Sequence, residues 1–500
     1  MKFTRIVQGA IALCLSSAVQ ASATPRTDAL SSNKTLNVFP VPENVTKSTT
    51  FHVKARSVHG SSKSGWQNVD LYQTPLHEIN TTTGRAQVHQ TSVALFDFSE
   101  GVELLIEPNS AVFQTVEAVR VRPLSYDISA TASNGKIKLA LKTPRNLVIE
   151  VNGDVFNVLH LFLGHTDDEA SQAPPPQNSL TRVYGPGYHE MRETVKVKSG
   201  ETVYLAPGAV IKGGFLFQNV TDAAIIGRGI ITRGESIKVE SSSNIRINGV
   251  TILNPQHYSI TLGMANNVHV SNFRSISGVQ WGDGIDVFCS TNIVLEKLFM
   301  RNSDDCIALY QHRWGYIGDS KNITVRDSSL WADVAHPIHL GIHGNTAHPE
   351  TMEGVTLSNI DILDHREAQV DYTGCVAINC GDANLIKDVL IEDTRIENFR
   401  MGMLFNFKVF FNPKYNTSPG RGIRNVTVKN VSYNGDGEIM SLISGYNETN
   451  TVEFVDFQGL TKNGKAIWDG MAKPGWYQTS DFLPMFVGPH VKNLTWSEGA

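Results

Sequence analysis

Cysteine is scarce in this chain, and long apolar runs are almost absent from it. The 500 residues contain five cysteines, and no spacing among them matches a structural zinc site. Beyond the N-terminus no apolar stretch approaches the length that a membrane-spanning helix needs. These absences exclude a zinc-module protein, and we expect no membrane contact.

A strong excess of either charge is also missing. The formal net charge is only −5, which argues against nucleic acid as a partner. If Cys14 leaves with an N-terminal leader, four cysteines remain, and they allow three disulfide connectivities or a set of buried free thiols. The sequence does not choose between these alternatives for Cys289, Cys306, Cys375 and Cys380.

The N-terminus has the features of a secretory leader. Lys2 and Arg5 precede a mostly apolar stretch, and Ala21-Ser22-Ala23 forms a small-residue cleavage site. We therefore predict a signal peptide over residues 1–23 and a secreted, extracellular protein. Ten Asn-x-Ser/Thr sequons predict a glycoprotein, although those at strand starts are also explained as structural asparagines.

Short strands of β-branched and aromatic residues alternate with turn signals over residues 36–164. Runs such as Ser92–Phe98 and Val102–Ile106 follow one another at sandwich-like spacing, so we predict an antiparallel β-sandwich domain there. A polar, proline-rich stretch over residues 165–179, including Pro174-Pro-Pro, is the predicted linker.

From residue 180 to residue 500 the chain repeats. Period-two alternation without helical periodicity indicates strands, and a repeat of roughly 25 residues is typical of one coil of a solenoid. The leucine-asparagine ladder of leucine-rich repeats is missing, so a parallel β-helix with a continuous apolar core fits best. The predicted fold class is therefore all-β, a right-handed parallel β-helix after a β-sandwich, and the repeats start at Ile245, Val268, Ile293, Ile323, Val355, Val389, Val426 and Val452.

Three successive repeats carry a titratable residue in the same register. Asp283, Asp305 and His336 are each followed by x-Ile-x-(Val/Leu), and Asp304 stands directly before Asp305. Neighbouring strands lie about 4.7–4.9 Å apart, so equivalent residues of stacked coils form a column. We expect these side chains to gather on one surface, where they suit acid/base chemistry on a bound polymer.

Clustered carboxylates fit the cleavage of a glycosidic bond. This reaction needs an acid for the leaving oxygen and a base or nucleophile at the anomeric carbon, and crowding raises the pKa of one carboxyl above that of another. A Ca²⁺ site and a plain structural turn are the two alternatives. We predict an enzyme that uses neither a cofactor nor a metal.

At these residues the chain resembles the polygalacturonases of glycoside hydrolase family 28, which are right-handed β-helix enzymes. The resemblance implies that Asp304 is the general acid and that Asp283 and Asp305 activate water, with inversion of the anomeric centre. His336 would hydrogen-bond a carboxylate or the substrate. The segments that carry the resemblance are Trp281-Gly-Asp283-Gly-Ile-Asp286, Asp304-Asp305-Cys306-Ile-Ala and Ala335-His336-Pro.

Two features depart from that family. Its Arg-Ile-Lys, which grips the galacturonate carboxylate, has no arginine counterpart here, and Lys408 is the candidate substitute. A preceding β-sandwich and the segment Asp333-Val-Ala-His336-Pro-Ile-His339 are similar to glycoside hydrolase family 49, the dextranases and isopullulanases. Without an arginine fork, recognition of an acidic sugar loses its bidentate partner.

The remaining candidates are predicted to bind substrate. His339 shares the register of Asp286, and His343 follows shortly after it. Trp314 and Tyr316 belong to a loop rich in planar side chains, which either stacks on sugars or packs against the β-helix. The predicted substrate-binding set is therefore Asp286, His339, His343, Trp314, Tyr316 and Lys408.

The sequence thus predicts a secreted, monomeric, inverting glycoside hydrolase of a polysaccharide, with a neutral α-glucan favoured. Pectic galacturonan or rhamnogalacturonan is the alternative substrate. A polysaccharide lyase and a non-catalytic glycan-binding protein are the alternatives of other classes.

Overall fold

A computed structural model describes residues 35–59, 61–171 and 180–499. The predicted signal peptide and residues 172–179 of the predicted linker lie outside these ranges. The boundaries of the predicted domains therefore stay predictions.

The N-terminal part consists of two six-stranded sheets. In one sheet the strands at Phe51–His59 and Lys136–Leu141 alternate between buried and exposed residues, so this sheet turns one face inward. In the other sheet the strands at Asn146–Val151 and Asp154–Gly164 contain continuous runs of buried residues, so both of its faces are covered. A short 3₁₀ helix covers Leu124–Tyr126. The strands are β1 (Leu36–Val38), β2 (Phe51–His59), β3 (Ser62–Lys63), β4 (Gln67–Val69), β5 (Leu71–Ile79), β6 (Ala86–Phe98), β7 (Val102–Pro108), β8 (Val119–Arg122), β9 (Thr131–Ser133), β10 (Lys136–Leu141), β11 (Asn146–Val151) and β12 (Asp154–Gly164).

Strand order in the first sheet is β1-β6-β12-β11-β8, with β5 also paired to β6, and in the second it is β3-β2-β7-β10-β9, with β4 also paired to β2. The sequence predicts antiparallel pairing throughout. That prediction is wrong for β6 and β12, which run parallel, because the chain crosses to the other sheet between them instead of returning through a hairpin.

The rest of the described chain forms one long sheet that winds as a parallel β-helix, with a second 3₁₀ helix at Thr479–Phe482. Its strands are β13 (Thr181–Tyr184), β14 (Gly187–Glu190), β15 (Val195–Val197), β16 (Thr202–Leu205), β17 (Ala209–Gln218), β18 (Thr221–Gly227), β19 (Ile230–Glu240), β20 (Ser243–Asn248), β21 (Thr251–Leu253), β22 (Ile260–Gly263), β23 (Asn266–Ser271), β24 (Arg274–Ile276), β25 (Ile285–Phe288), β26 (Thr291–Glu296), β27 (Phe299–Asn302), β28 (Ile307–Tyr310), β29 (Ser320–Ala332), β30 (Ile338–Gly341), β31 (Thr351–His365), β32 (Val376–Cys380), β33 (Leu385–Glu397), β34 (Phe405–Val409), β35 (Gly422–Lys429), β36 (Ser432–Asn434), β37 (Ser441–Ser444), β38 (Thr451–Gln458), β39 (Thr461–Lys462), β40 (Lys465–Ala466), β41 (Met485–Val487) and β42 (Val491–Ser497).

The register of the coils follows the predicted repeat starts up to Val426. The last start is wrong by three residues, because Val426 pairs with Val455 while Val452 pairs with Ile423. Both positions face the core. Apolar periodicity alone therefore does not separate the two registers. The predicted fold class is confirmed.

Inward-facing residues of successive coils stack into one apolar core. Ile245, Val268, Ile293 and Ile323 are each at most 1% exposed, and burying such a side chain contributes about 1.5–3 kcal/mol. Each coil supplies only part of a core, so it is stable only against its neighbours. This stacking fixes the position of every residue on the cleft side of the strands.

The first sheet packs directly on the β-helix. Val93 and Phe162 from the N-terminal sheets share a buried cluster with Phe299 and Trp331 from the coils. This contact places the hairpin of β5 and β6 beside the strands that carry the predicted catalytic residues, as described below.

The four cysteines of the described chain are free and buried, so the free-thiol alternative holds there. No helix among the described residues has the length and apolar character that a membrane span requires.

Candidate active site

The predicted column exists and is one residue longer than predicted. Ile260, Ile285, Ile307 and Ile338 are aligned on neighbouring strands. The residues two positions earlier are Tyr258, Asp283, Asp305 and His336. Backbone hydrogen bonds tie these rungs together, with Gly284 N donating to Asp305 O at 2.8 Å and Cys306 N donating to His336 O at 2.8 Å.

Asp305 is the most heavily bonded carboxylate of the site. Its Oδ1 accepts hydrogen bonds from the backbone N (3.0 Å) and Nδ1 (2.6 Å) of His336. Its Oδ2 accepts from the Tyr310 hydroxyl at 2.7 Å and from His339 Nδ1 at 3.0 Å. A carboxylate offers about four lone-pair sites, so Asp305 is fully satisfied and rigidly oriented.

These partners hold Asp305 in its ionised form. Burial acts to raise the pKa of Asp305, but the charges and hydrogen bonds of His336 and His339 outweigh burial, and the pKa lies well below its usual range. For His336 burial acts to lower the pKa, and Asp305 outweighs it and raises the pKa. Nε2 of His336 bonds the Tyr372 carbonyl oxygen at 2.7 Å, which also favours the doubly protonated ring.

Asp304 has the opposite environment. It is half-buried, whereas Asp283 and Asp305 are each only 4% exposed. Burial, followed by the negative charge of Asp305, raises the pKa of Asp304 to about 8. Two adjacent carboxyls therefore differ in protonation at neutral pH, one protonated and one ionised, which is the division of roles that acid/base chemistry needs.

Two further carboxyls complete the acidic cluster. Burial and then Asp286 raise the pKa of Asp283, and burial and then Asp305 raise the pKa of Asp286. Oδ1 of Asp283 and both carboxylate oxygens of Asp286 are buried without a hydrogen-bond partner among the described residues. Unsatisfied buried oxygens of this kind are costly, so they are ready to accept bonds from a ligand.

A cavity of about 480 Å³ opens next to Asp304. Trp281, Tyr372 and Tyr415 of the β-helix line one part of it, and the β5–β6 hairpin of the N-terminal sheets lines another through residues that include His77. The cavity is therefore shared between the two parts of the chain. Its size and its mixture of aromatic and polar groups fit a small-molecule or glycan site.

Both other predicted histidines have a pKa below the usual value for histidine. Burial, followed by His336, lowers the pKa of His339, and burial, followed by Arg313, lowers the pKa of His343 to about 3. The rings of His339 and His343 lie edge-on to Tyr310, with centroids at 5.4 and 5.2 Å. His339 thus belongs to the hydrogen-bond network, whereas His343 lies at its edge.

Sequence reasoning missed Tyr310 and Tyr258 as parts of this network. Tyr310 is aligned with Phe288 and reaches Asp305, as described above. Tyr258 stands before Ser-Ile-Thr-Leu, the same pattern that follows the three predicted residues, so a search that included tyrosine as a titratable residue finds it.

The loop that contains Trp314 and Tyr316 has one exposed aromatic ring and one packed aromatic ring. Trp314 is 55% exposed. Tyr316 stacks on Phe288 at 5.6 Å, and its hydroxyl donates to Glu240 at 2.7 Å. A Cβ at Gly263 would meet the Tyr316 ring at 2.3 Å, so this glycine makes room for the ring. Tyr316 anchors the loop, and Trp314 is presented to solvent.

Lys408 does not stand free in the cleft. It is aligned with Asn379, and its ammonium group forms an ion pair with Asp371. Asp371 also accepts a hydrogen bond from the Asn412 amide at 3.0 Å. The cation expected to replace the missing arginine is therefore neutralised within the protein.

Asp283, Asp304 and Asp305 lie close together. Each contributes one carboxylate oxygen to a group of three oxygens that are all within 4.8 Å of one another. This proximity is also compatible with a hard cation. The four hydrogen bonds to Asp305, however, occupy the lone pairs that a cation would need, so the acid/base interpretation fits the geometry better.

Residues 221–434 match the family model described as glycosyl hydrolases family 28. The predicted resemblance to glycoside hydrolases is confirmed. A probable polygalacturonase of Arabidopsis thaliana is 28% identical over 131 residues, 26% of this chain and 26% of its own length. A dextranase of Arthrobacter sp. (strain CB-8) is 22% identical over 230 residues, 38% of this chain and 33% of its own length.

These matches thus span about a quarter to a third of the relatives' length. A solved structure, Dex49A from Penicillium minioluteum, is similar over 91% of this chain and 96% of its own, with a TM-score of 0.59 and 14% identity. At this identity the similarity shows only the fold. It extends over both the N-terminal sheets and the β-helix of this protein.

Proposed function

We propose that this protein hydrolyses the glycosidic bonds of a polysaccharide outside the cell, with Asp304 as general acid. The observation that carries the proposal is the contrast between neighbouring carboxyls. The pKa of Asp304 is raised to about 8 and that of Asp305 lies well below its usual range. Asp304 also borders the cavity in which a substrate would lie.

Asp283 and Asp305 activate the attacking water in this proposal. Asp305, whose lone pairs are occupied, supplies a fixed negative charge, and ionised Asp283 takes the proton of the water at its unpartnered Oδ1. Inverting enzymes commonly separate their carboxyl groups by about 6.5–9.5 Å, and nearest oxygens within 4.8 Å do not match that window. Inversion is therefore supported by the family resemblance, and the anomer released first, measured by NMR, tests it.

His336, His339 and Tyr310 act as positioning residues because they contact Asp305. We propose that Asp286, with its two unpartnered oxygens, accepts hydrogen bonds from sugar hydroxyls. Trp314 offers a face to a sugar ring. Tyr316 and His343 shape the wall around it.

A neutral glycan fits the charges of the cleft better than a polyuronate. The only basic side chain at the predicted clamp position, Lys408, is paired with Asp371. Four aspartates belong to the acidic cluster, and the cavity beside Asp304 is lined by two acidic side chains, Asp304 and Glu367, and by one lysine, Lys414. A second carboxylate from a substrate would meet like charges there. The resemblance to a dextranase supports the same choice, so we propose an α-glucan such as dextran.

Galacturonan is the second candidate, because the matched family model and one relative named a probable polygalacturonase point to it. The two candidates separate in one experiment. Purified protein is assayed for reducing ends on dextran, pullulan, polygalacturonate and rhamnogalacturonan. We expect a higher kcat/KM on dextran or pullulan, and a clear preference for polygalacturonate would contradict the neutral-substrate proposal.

The general-acid role is tested with Asp304→Asn, which keeps the shape of the side chain and removes the proton donor. General acid catalysis contributes about 10²–10⁴-fold, and we expect a loss of that size on polymer. A glycoside with an activated phenolic leaving group needs little protonation and should lose much less. Asp283→Asn should impair both substrates alike. Retention of more than about a tenth of the activity by Asp304→Asn would contradict the assignment.

The alternatives of other classes have distinct outcomes. A lyase releases unsaturated products that absorb in the ultraviolet, and a glycan-binding protein binds without turnover. Chelation with EDTA tests the cation alternative, and we expect full activity after it.

A further inference from the structure

Two exposed tryptophans border the acidic column on the side of the first coils, and the catalytic proposal does not use both of them. Trp281 is 56% exposed and Trp314 is 55% exposed. Trp281 precedes Asp283 by two residues, and Trp314 lies in the loop that follows β28. Large indole surfaces so exposed beside a polar cleft need a reason, because water contact with them is unfavourable.

Both tryptophans also have left-handed backbone conformations. The φ angles are 55° for Trp281 and 53° for Trp314, a region that costs a bulky residue free energy. Strain of this kind concentrates at ligand-binding and catalytic positions. The fold thus holds two large rings out of the core at an energetic cost.

His257 and Tyr258 connect the two tryptophans into one surface. The ring centroid of His257 lies 6.2 Å from that of Trp281 and 6.3 Å from that of Trp314. Tyr258 lies 5.8 Å from Trp314 with the rings near parallel. Because Tyr258 occupies the rung directly before Asp283, this surface continues the catalytic column toward the first coils.

We propose that His257, Trp281 and Trp314, packed around the buried Tyr258 and together with it called the aromatic rim, bind neutral pyranose units of the glycan next to the scissile bond. Flat apolar ring faces suit the apolar faces of pyranoses, and the burial of rigid aromatic surface carries much of the affinity at protein interfaces. This inference rests on the proposed function for the class of ligand.

The position of Trp281 supports the same ligand. Trp281 lines the cavity beside Asp304, so a ring stacked on it is one short step from the proton donor. Behind Trp314 the guanidinium carbon of Arg313 lies 5.2 Å from the indole centroid, and this cation–π contact holds the ring in place. The rings of the aromatic rim are therefore held in defined positions by their neighbours.

The experiment uses Asp304→Asn protein, which binds without turnover, and isomaltohexaose as the probe. Trp281→Ala and Trp314→Ala, each in that background, are compared by calorimetric titration. We expect each substitution to weaken the Kd by about tenfold. The change in intrinsic tryptophan fluorescence on binding should disappear when both are replaced.

Trp476→Ala is the matched control. Trp476 is also left-handed (φ 76°) and fully exposed, but it neither lines the cavity beside Asp304, as Trp281 does, nor takes part in the ring contacts with His257 and Tyr258 that include Trp314. Its replacement should leave the Kd unchanged. Binding of isomaltohexaose that is equally tight in the rim variants and the control would overturn the proposal, and so would the absence of any binding.

The experiments distinguish an error in the aromatic-rim proposal from an error in the hydrolase proposal. If the wild-type protein hydrolyses dextran and the rim variants keep its KM, the rim is wrong and the function stands. If the wild-type protein hydrolyses no polysaccharide but the rim variants lose affinity, the rim stands as a glycan site without catalysis.

Discussion

Residue by residue, the site separates two adjacent carboxyls by what surrounds them. Asp305 faces two histidines and a tyrosine hydroxyl, whereas Asp304 faces the cavity and the charge of Asp305. The backbone N of Asp305 donates to Asp304 Oδ1 at 3.0 Å, so a local hydrogen bond holds the Asp304 carboxyl next to Asp305. The closeness of the two carboxyls therefore comes from their adjacent positions in the chain, and the difference between their pKa values comes from the neighbouring coils.

A pH profile follows from these assignments. Asp304 must be protonated to act as an acid, and its pKa is about 8. We therefore expect kcat/KM to fall as the pH rises through about 8. The acid limb reports the interacting pair of Asp283 and Asp305, because both carboxyls must be ionised to activate the water.

His336→Asn should move the acid limb. The variant removes a positive charge that lowers the pKa of Asp305, so the pKa of Asp305 rises and the limb shifts to higher pH. The measurement is the pH dependence of kcat/KM on one soluble substrate. His343→Asn is the control: burial and Arg313 keep His343 neutral with a pKa of about 3, and the limb should not move. Equal shifts in both variants would contradict the role of His336.

At the scale of strands, the strand starts show why asparagine recurs in the sequence. Asn267, Asn292 and Asn322 all have left-handed φ angles between 54° and 57°. The Asn322 amide donates to Asn292 Oδ1 at 3.1 Å, and the Asn267 amide donates to Asn244 Oδ1 at 2.7 Å. Asparagine tolerates this conformation and links neighbouring coils, which explains Asn322, the one sequon asparagine of these three, as a structural asparagine.

Asn292→Ala and Asn292→Gly separate these two effects. Both variants lose the side-chain amide, but only alanine is forced into an unfavourable left-handed conformation. We expect alanine to lower the free energy of unfolding by about 1–2 kcal/mol more than glycine does. Urea denaturation followed by intrinsic fluorescence measures the difference, and equal losses would show that the hydrogen bonds dominate.

The strands also show which features of the site can be predicted from the sequence. The column of Asp283, Asp305 and His336 follows from a period-two pattern and a repeat, because parallel stacking places equal positions side by side. The bonds of Tyr310 to Asp305 and the ion pair of Lys408 with Asp371 depend on side-chain rotamers and on a loop. No local pattern in the sequence encodes them.

Viewed as a whole, the molecule is joined by buried arginines that cross between its parts, among them Arg228 and Arg122. Arg228 of the β-helix reaches Asp97 of β6 at 2.8 Å, with both side chains at most 2% exposed. Arg122 of β8 reaches Glu397 of β33 in return and donates to the Leu363 carbonyl at 2.8 Å. The sequence gives no hint of these contacts, because each pair spans well over a hundred residues. They hold β6 and β8 against the β-helix.

This joint predicts cooperative unfolding. In Asp97→Asn the guanidinium of Arg228 stays buried without its counter-charge, and removal of one partner from such a pair costs about 3–5 kcal/mol. Glu107→Gln, which breaks the exposed pair with Lys136, should cost no more than about 1 kcal/mol. Replacement of both partners, as Asp97→Leu with Arg228→Met, should recover most of the loss. Differential scanning calorimetry should show one transition in the wild-type protein and a lower single transition in Asp97→Asn. Two wild-type transitions, of which Asp97→Asn lowers only one, would mean that the N-terminal sheets and the β-helix unfold independently.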